Sequence, residues 1–316
     1  MGEHGRVPLP SGRNRNATGL RGALAGGAAA VLLALAPTAA ASTMTAGRPA
    51  RAAAGRAVPI VVIVMENETY QTIIGNRRAP FINKTMIRGG LLDTNDFAVP
   101  GSEPDYLLMV SGRKRPRPSA RNLFAALGRR TSWREYMESM PSTCYLGIAY
   151  HVVHGTRAAL YGHAHNPAIY FTSVTRTSLC RHVVPLNRTD FRTDALPRFS
   201  LVVPNECNDM HTQPTNDRCP MWNGRTNRGR NEITLGDRWL ASFVPAVARV
   251  ATVILTWDEG NIRDEHIVTV SYGVGVTPGR DNSLCHQQSL EAALYRYFRL
   301  GRPPGQGADA APLPIG

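Results

Sequence analysis

The run 58-VPIVVIVM-65 consists of apolar, mostly β-branched residues with no polar interruption. Continuous rather than alternating hydrophobicity is typical of a strand that is buried on both faces of a parallel sheet. Pro59 is compatible with this assignment because proline is tolerated at the very start of a strand. The run therefore predicts a central parallel strand, and we expect one folded domain over residues 58–316.

Further runs of similar composition follow at 199–203, 251–257 and 267–272. Segments with apolar residues at helical spacing lie among these runs, at 119–127, 132–139, 235–250 and 288–300. Pro245 is expected to break or kink the third of these helices. The mixture of strands and helices predicts an α/β fold, a three-layer α/β/α sandwich with a mostly parallel central sheet.

Residues 1–41 have the pattern of a secretory signal peptide. Four arginines precede an apolar run from Ala23 to Ala36, and small residues follow at 39–41. Because the run is shorter than the roughly 20 residues of a membrane-spanning helix, a cleaved signal is preferred to an uncleaved anchor. We therefore predict a secreted protein, extracellular or cell-surface associated, with no stable membrane insertion after cleavage. Residues 42–57 are predicted to form a flexible linker.

Five cysteines follow the predicted signal segment. They allow at most two disulfides, which persist in an oxidising compartment, and one leftover thiol. Spacing alone does not give the connectivity. The pairs that we consider are Cys207 with Cys219, which closes a short loop, and Cys144 with Cys180, which closes a longer one. The sequence has no closely spaced pair of the zinc-binding type, so we interpret the cysteines as structural.

The formal net charge is +13, and it is +10 without residues 1–41. A basic surface attracts phosphorylated or otherwise anionic partners. The arginines are scattered along the chain and no nucleic-acid-binding motif accompanies them, so a nucleic acid partner is not expected. A charge that serves solubility alone is the alternative.

Polar residues follow the predicted strands, where the loops of an open α/β sheet converge on a ligand. They are Glu66, Asn67, Asp209, His211, Asp258 and Glu259, with His266 at the start of the fourth strand. Carboxylates gathered at one place repel each other unless a cation neutralises them. The set therefore predicts a divalent metal site, although any one of these residues, taken alone, fits a solvated turn or a helix cap.

Four stretches resemble the phosphoesterase family of bacterial acid phosphatases and phospholipases C, within the alkaline phosphatase superfamily. They are 61-VVIVMEN-67, 165-HNPAIYF-171 with its continuation to Leu186, 199-FSLVVPNECNDMH-211, and 256-TWDEG-260 with its continuation to Gly279. The segment PNECNDMH is the most specific of them. Together they extend from about residue 58 to shortly before the C-terminal tail.

The resemblance implies an alkaline phosphatase-like fold and metal-assisted phosphoryl transfer to a serine or threonine, followed by hydrolysis of the phosphoenzyme. It implies metal ligation at Glu66, Asn67, Asp258 and Glu259, with Asp209, His211 and His266 as candidate ligands of the same or a neighbouring ion. Substrate contact is expected at Asn67 and His165. Oxygen ligands suit Mg²⁺, Ca²⁺ or Mn²⁺, whereas the histidines allow Zn²⁺ or iron.

The segment 100-PGSEPDYLLMVSG-112 is similar to the stretch that carries the family's nucleophile, and Ser102 takes the nucleophile's place. This segment also departs from the family, because Pro100-Gly101 replaces His-Pro, Asp105 replaces an asparagine and Glu103 adds a carboxylate. Unless these carboxylates point away or bind the metal, they would repel a phosphate by a few kcal/mol at an effective dielectric constant of about 20. Glu68 likewise replaces a family histidine.

These observations predict a secreted phosphoesterase that hydrolyses phosphate mono- or diesters through a phosphoseryl intermediate. Its substrate is expected to be a small phosphate ester or a lipid headgroup. A phospholipase C is a narrower alternative, although the sequence shows no lipid-facing stretch. A sulfatase is disfavoured because Ser102-x-Pro104-x-Tyr106 lacks the arginine of the sulfatase signature. A catalytically weakened relative that binds metal and anions is the alternative from another functional class, and the altered Ser102 segment is its main support.

Overall fold

The computed structural model describes residues 57–147, 160–191, 196–211, 231–261 and 263–316. The predicted signal peptide, nearly all of the predicted linker and Cys219 lie outside these residues. Within the described ranges, no helix has both the length and the apolar character that crossing a bilayer requires.

The described strands form one mixed sheet. They are β1 Ile60–Met65, β2 Leu91–Phe97, β3 Trp133–Met137, β4 Val183–Pro185, β5 Phe199–Val203, β6 Thr252–Trp257, β7 His266–Gly273, β8 Gly279–Asp281 and β9 Cys285–His286. Their order is β4-β3-β5-β1-β6-β7-β2-β8, and β9 also pairs with β2. The pairs from β4 to β6 are parallel, whereas β7 is antiparallel to both β6 and β2. The predicted mostly parallel sheet and the central position of β1 are confirmed.

The described helices cover both faces of the sheet. They are α1 Tyr70–Ile73, α2 Ile87–Gly89, α3 Ser102–Ser111, α4 Leu123–Leu127, α5 Thr172–Thr175, α6 Glu232–Val247 and α7 Gln287–Phe298. Alternate residues of β1 belong to two separate hydrophobic clusters, with Val62 packed beside residues of α3 and α7 and Val61 beside residues of α6. This arrangement is the predicted three-layer α/β/α sandwich.

One local prediction is corrected. The segment 132–139, predicted as a helix, contains β3. Its backbone pairs with β4 and β5, and its side chains pack into hydrophobic clusters on both faces of the sheet. The Ser102 segment forms the beginning of α3. The helix α6 continues two residues past Pro245, so this proline does not break the helix, and a kink at Pro245 stays a prediction.

The cysteines are structural in the described part of the chain. Cys144 and Cys180 form a disulfide, Cys207 is also disulfide-bonded, and Cys285 is a buried free thiol. The Cys144–Cys180 bond ties the segment after β3 to the segment before β4.

We expect the double variant Cys144→Ser, Cys180→Ser to lower the free energy of unfolding by about 3 kcal/mol, because the 36-residue separation no longer limits the unfolded chain. Denaturant titration of the variant and of Cys285→Ser measures the change. An equal loss from Cys285→Ser would show that packing, not the crosslink, supplies the stability.

Candidate active site

Three carboxylates converge where adjacent parallel strands end. Glu66 follows β1, Asp209 follows β5 and Asp258 follows β6, and all three side chains have 0% exposure. The backbone N–H of Glu66 donates to the carbonyl of Asp209 at 2.8 Å, and the N–H of Asp258 donates to the carbonyl of Met65 at 2.9 Å. Because β1 lies between β5 and β6, the sheet itself brings these predicted ligands together.

Glu66 is the centre of the cluster. The Tyr106 hydroxyl donates to its Oε1 at 2.9 Å, and the Nδ1 of His165 lies 3.2 Å from the same atom. The candidate ligand atoms of Glu66, His165 and Asp209 all lie within 4.8 Å of one another. The predicted residues Glu66, Asp209 and His165 therefore share one site.

Ser102 reaches this cluster from the first position of α3. The preceding Gly101 has a φ of 100°, a conformation that favours glycine. The Ser102 hydroxyl donates to Oε1 of Glu259 at 2.9 Å and lies 3.4 Å from Oε2 of Glu66. The N–H of Gly101 donates to the other oxygen of Glu259 at 2.6 Å. Glu259 thus fixes the nucleophile candidate against the end of β6.

The buried carboxylates repel one another. Burial, followed by the charges of Asp258 and Asp209, raises the pKa of Glu66 well above its ordinary value. Burial and the nearby Glu206 raise the pKa of Asp209. Burial also raises the pKa of Asp258 to about 7. Three acids that disfavour one another's charge are the setting in which a bound cation stabilises a protein.

Unpartnered oxygens indicate where a cation fits. Oδ2 of Asp209, Oδ2 of Asp258 and Oδ1 of Asn67 are buried and have no hydrogen-bond partner among the described groups. Asn67 adopts a left-handed φ of 50°, a conformation that is uncommon for residues other than glycine but that asparagine tolerates. Three buried oxygens without partners match the donor set of a hard divalent cation, so the residues fit the predicted metal.

Two histidines flank the cluster, and Glu206 lies beside both. Burial lowers the pKa of His165 to about 4, so this imidazole is neutral at neutral pH. His211 is 40% exposed, and its Nδ1 lies 3.3 Å from Oε2 of Glu206, a hydrogen bond that raises the pKa of His211. Oε1 of Glu206 lies 3.7 Å from Nδ1 of His165. His211 therefore lies at the edge of the site, and its role as a ligand stays a prediction.

His266 is the one predicted ligand whose described contacts lie elsewhere. Its ring stacks on Tyr70 at 4.3 Å and on Phe97 at 4.9 Å between ring centres. Its Nε2 lies 3.1 Å from the carbonyl oxygen of Thr94. These contacts orient the imidazole towards β2, so the structure does not bring His266 into the acidic cluster.

The two added carboxylates of the Ser102 segment have different environments. Glu103 is exposed. Asp105 is buried and accepts the N–H of Val99 at 2.9 Å, and burial raises its pKa to about 9. Asp105 is therefore mainly protonated at neutral pH. The repulsion of a phosphate that the sequence led us to expect is reduced at both positions.

Tyr106 and Glu206 contact the site but were not among the predicted site residues. Tyr106 lies one helical turn after Ser102, on the same face of α3, and stacks on His165 at 5.5 Å. This spacing is visible in the sequence. The contacts of Glu206 depend on the fold of the segment after β5, which no local pattern reveals.

We expect Tyr106→Phe to weaken binding of a divalent ion by about tenfold, because the lost hydroxyl is a hydrogen bond of roughly 1–2 kcal/mol that favours the charged form of Glu66. Isothermal titration with Mn²⁺ measures this change. Tyr297→Phe, which removes a hydroxyl bonded to the carbonyl of Val58, is the control. Unchanged affinity in Tyr106→Phe would contradict the assignment of Glu66 as a ligand.

Comparison with known proteins gives one related sequence and several related folds. The chain is 29% identical over 272 residues to the phosphatidylinositol-3-phosphatase of Mycobacterium tuberculosis, and the match covers 80% of this chain and 81% of that protein. None of the protein-family models matches the chain.

Two solved structures share the fold at 13% identity. One is a protein of the alkaline phosphatase superfamily from Vibrio parahaemolyticus, with a TM-score of 0.50 and coverage of 76% of this chain and 66% of that one. The other is the PsFucS1 sulfatase from Pseudoalteromonas sp., with a TM-score of 0.52 and coverage of 77% and 68%. The chain thus spans about two thirds of each structure. The protein shares the fold of these two structures, and the expected alkaline phosphatase-like α/β fold is confirmed.

Proposed function

We propose that this protein hydrolyses phosphate esters with Ser102 as the nucleophile. One observation carries the proposal: the Ser102 hydroxyl lies at the N-terminus of α3 and contacts both Glu259 and Glu66, beside a set of buried oxygens that fits a cation. The related phosphatase of Mycobacterium tuberculosis supports the class of enzyme, a hydrolase of phosphate esters. Its name supports phosphate monoesters, including phosphorylated lipid headgroups, as the substrates.

In the proposed reaction, Oγ of Ser102 attacks phosphorus. A bond from Oγ to phosphorus forms as the bond to the leaving alkoxide breaks, and water then hydrolyses the phosphoserine. The Ser102 hydroxyl already donates to Oε1 of Glu259, so this oxygen is placed to accept the proton. The N–H group of Gly101 holds the other carboxylate oxygen and keeps that geometry. The N-terminal end of α3 favours the negative charge of the phosphate.

The metal would be held by Glu66, Asn67, Asp209 and Asp258, whose buried oxygens supply the donors. When bound, a divalent ion neutralises phosphate charge and polarises the phosphoryl group. The oxygen-rich set suits Mg²⁺, Ca²⁺ or Mn²⁺, whereas the neutral imidazole of His165 extends the choice to Zn²⁺. Tyr106 and Glu206 orient the side chains that they contact.

The alternative function, a catalytically weakened protein that binds metal and anions, has less support than the sequence suggested. That alternative depended on the negative charges of Glu103 and Asp105 near the substrate. Exposure of Glu103 and protonation of Asp105 leave the phosphate with less repulsion than the sequence led us to expect. We therefore favour an active enzyme.

We also propose that the protein is exported. The N-terminal pattern of residues 1–41 supports this, and so does the Cys144–Cys180 disulfide, because such bonds persist in oxidising compartments.

The test is hydrolysis by the purified chain of p-nitrophenyl phosphate, bis-p-nitrophenyl phosphate and dispersed phosphatidylinositol 3-phosphate. We expect turnover of the monoesters, loss of activity after chelation, and recovery on addition of Mg²⁺, Mn²⁺, Ca²⁺ or Zn²⁺. Turnover of the diester alone would replace the proposed substrate class. Absence of turnover with every ion would overturn the proposal in favour of a binding protein.

A further inference from the structure

A loop with a high density of positive charge follows α3. Arg113, Lys114, Arg115 and Arg117 carry exposed side chains, and we call residues 113–117 the basic loop. In the part of the chain that the structure describes, no salt bridge involves any of these four side chains. The expectation of scattered arginines is therefore wrong at this place, because four of five consecutive residues are cationic.

The backbone of the basic loop is fixed from both sides. The carbonyl of Gly112 accepts the N–H of Gln306 at 2.8 Å, and the carbonyl of Pro116 accepts the hydroxyl of Tyr170. The carbonyl of Pro118 accepts the N–H of Thr172 at 2.8 Å. These contacts anchor the backbone at Pro116 and at the residues on either side of the loop, which lowers the cost of ordering it when a ligand binds its side chains.

The surroundings of the loop add positive charge. Arg121 is exposed and donates to the carbonyl of Arg302. Arg302 also pairs with Asp309 at 3.1 Å, and both side chains of that pair are largely exposed. The charge of Glu291 interacts with Arg113 and Arg121, but burial raises the pKa of Glu291 to about 9, so its carboxyl is mainly neutral at neutral pH. The basic loop is thus not neutralised by its neighbours.

The basic loop lies away from the acidic cluster. Ser102 is the first residue of α3 and Ser111 the last, and the rise of about 1.5 Å per residue places these two residues about 13 to 14 Å apart. The loop begins directly after this far end. A partner bound to the loop therefore leaves the Ser102 end of α3 accessible.

We propose that the basic loop is a binding surface for a soluble, linear polyanion that carries closely spaced phosphate groups. The guanidinium groups of Arg113, Arg115 and Arg117 provide planar, bidentate donors for phosphate oxygens, and Lys114 adds a further positive charge. A membrane fits less well, because the loop lies at the far end of the helix from the site that would process lipid headgroups. The exposed large apolar residues among those described, Leu146, Val250 and Leu284, also lie outside the loop. The surface would tether the protein to the polymer without covering the catalytic groups.

The probe is fluorescently labelled inorganic polyphosphate, and the readout is anisotropy at several salt concentrations. The variant replaces Arg113, Lys114, Arg115 and Arg117 with glutamine. We expect its Kd for polyphosphate to rise by about tenfold or more at low salt, and the salt dependence to become shallower, because fewer counterions are released on binding. Hydrolysis of p-nitrophenyl phosphate should stay within about twofold of the unmodified chain, since the loop is distant from Ser102.

A matched control replaces Arg77, Arg78, Lys84 and Arg88 with glutamine, which removes the same number of exposed arginines and lysines elsewhere. Equal weakening by both variants would show that net charge alone attracts the polymer and would overturn the proposal. Unaltered binding by the loop variant, with polyphosphate competing against the small ester, would place the polymer in the acidic cluster instead. Binding to vesicles of phosphatidylserine and phosphatidylcholine without binding to polyphosphate would identify the loop as a membrane contact.

Discussion

Ser102→Ala is expected to lower kcat for p-nitrophenyl phosphate by at least about 10³-fold, because the proposed reaction depends on a bond between its oxygen and phosphorus. The hydroxyl contacts Glu259 and Glu66 directly, so its removal eliminates the attacking group. Its position at the start of α3 also places it where the helix dipole favours phosphate. Steady-state kinetics of the variant, with thermal unfolding to confirm the fold, measures the effect.

Ser111→Ala is the matched control for that experiment. Ser111 is the last residue of the same helix, and its hydroxyl donates to the carbonyl of Leu107 within the helix. Its loss should cost about 1 kcal/mol of stability or less and leave kcat unchanged. Retention of more than a tenth of the activity in Ser102→Ala would remove Ser102 from the role of nucleophile.

The central strands could be read from the sequence because burial on both faces leaves an uninterrupted apolar run. β5 matches its predicted bounds, and β1 and β6 begin only one or two residues later than predicted. β2 was missed because its sequence, Leu-Leu-Asp-Thr-Asn-Asp-Phe, is polar in the middle. The Thr269 hydroxyl donates to Oδ2 of Asp96 at 2.6 Å across β7 and β2, so a long-range hydrogen bond supports a strand that local propensity does not indicate.

The site was predictable where side chains directly follow strands. Glu66, Asp209 and Asp258 come together because β1 pairs with both β5 and β6, an order that motifs suggest and only the fold establishes. His266 was predicted as a ligand of the same or a neighbouring ion because it begins the fourth predicted strand and because the family resemblance implies a ligand there. Stacking between Tyr70 and Phe97 determines its orientation instead, and no spacing rule in the sequence encodes that contact.

Asp258→Asn is expected to make the metal-free protein more stable and to make it insensitive to metal. The carboxylate shares a buried site with Glu66 and Asp209, which it helps to keep from ionising. An amide keeps the oxygen that accepts the N–H of Glu259, and it supplies a donor for the neighbouring carboxylate of Glu66. The substitution thereby removes the charge of Asp258 from the buried site and keeps a hydrogen-bonding group beside Glu66, while one proposed metal ligand loses its charge.

The effect of pH on the stability of the metal-free protein shows why Asp258→Asn should be stabilising. Because the pKa of Asp258 is about 7 in the folded chain, well above its ordinary value, the folded state binds the proton more tightly than the unfolded state does. The metal-free protein should therefore be most stable below about pH 4 with respect to this group, and lose that stability as the pH rises towards 7. Asp258→Asn removes the loss and should raise the Tm in chelator at neutral pH by roughly 5 °C.

In the presence of added Mn²⁺, the unmodified chain should have a higher Tm than Asp258→Asn, the reverse of their order in chelator. The unmodified chain gains stability with metal concentration, and the gain increases with pH because ligation requires deprotonated carboxylates. Asp258→Asn should show little gain and at least about a hundredfold lower kcat. Asp237→Asn is the control. The buried Asp237 lies in α6 and accepts the N–H groups of Phe81 and Ile82, which belong to the segment between α1 and α2. Asp237→Asn should have a lower Tm than the unmodified chain but should still gain stability when metal is added. A Tm in chelator that is lower for Asp258→Asn than for the unmodified chain would show that the charge of Asp258 is not a source of repulsion.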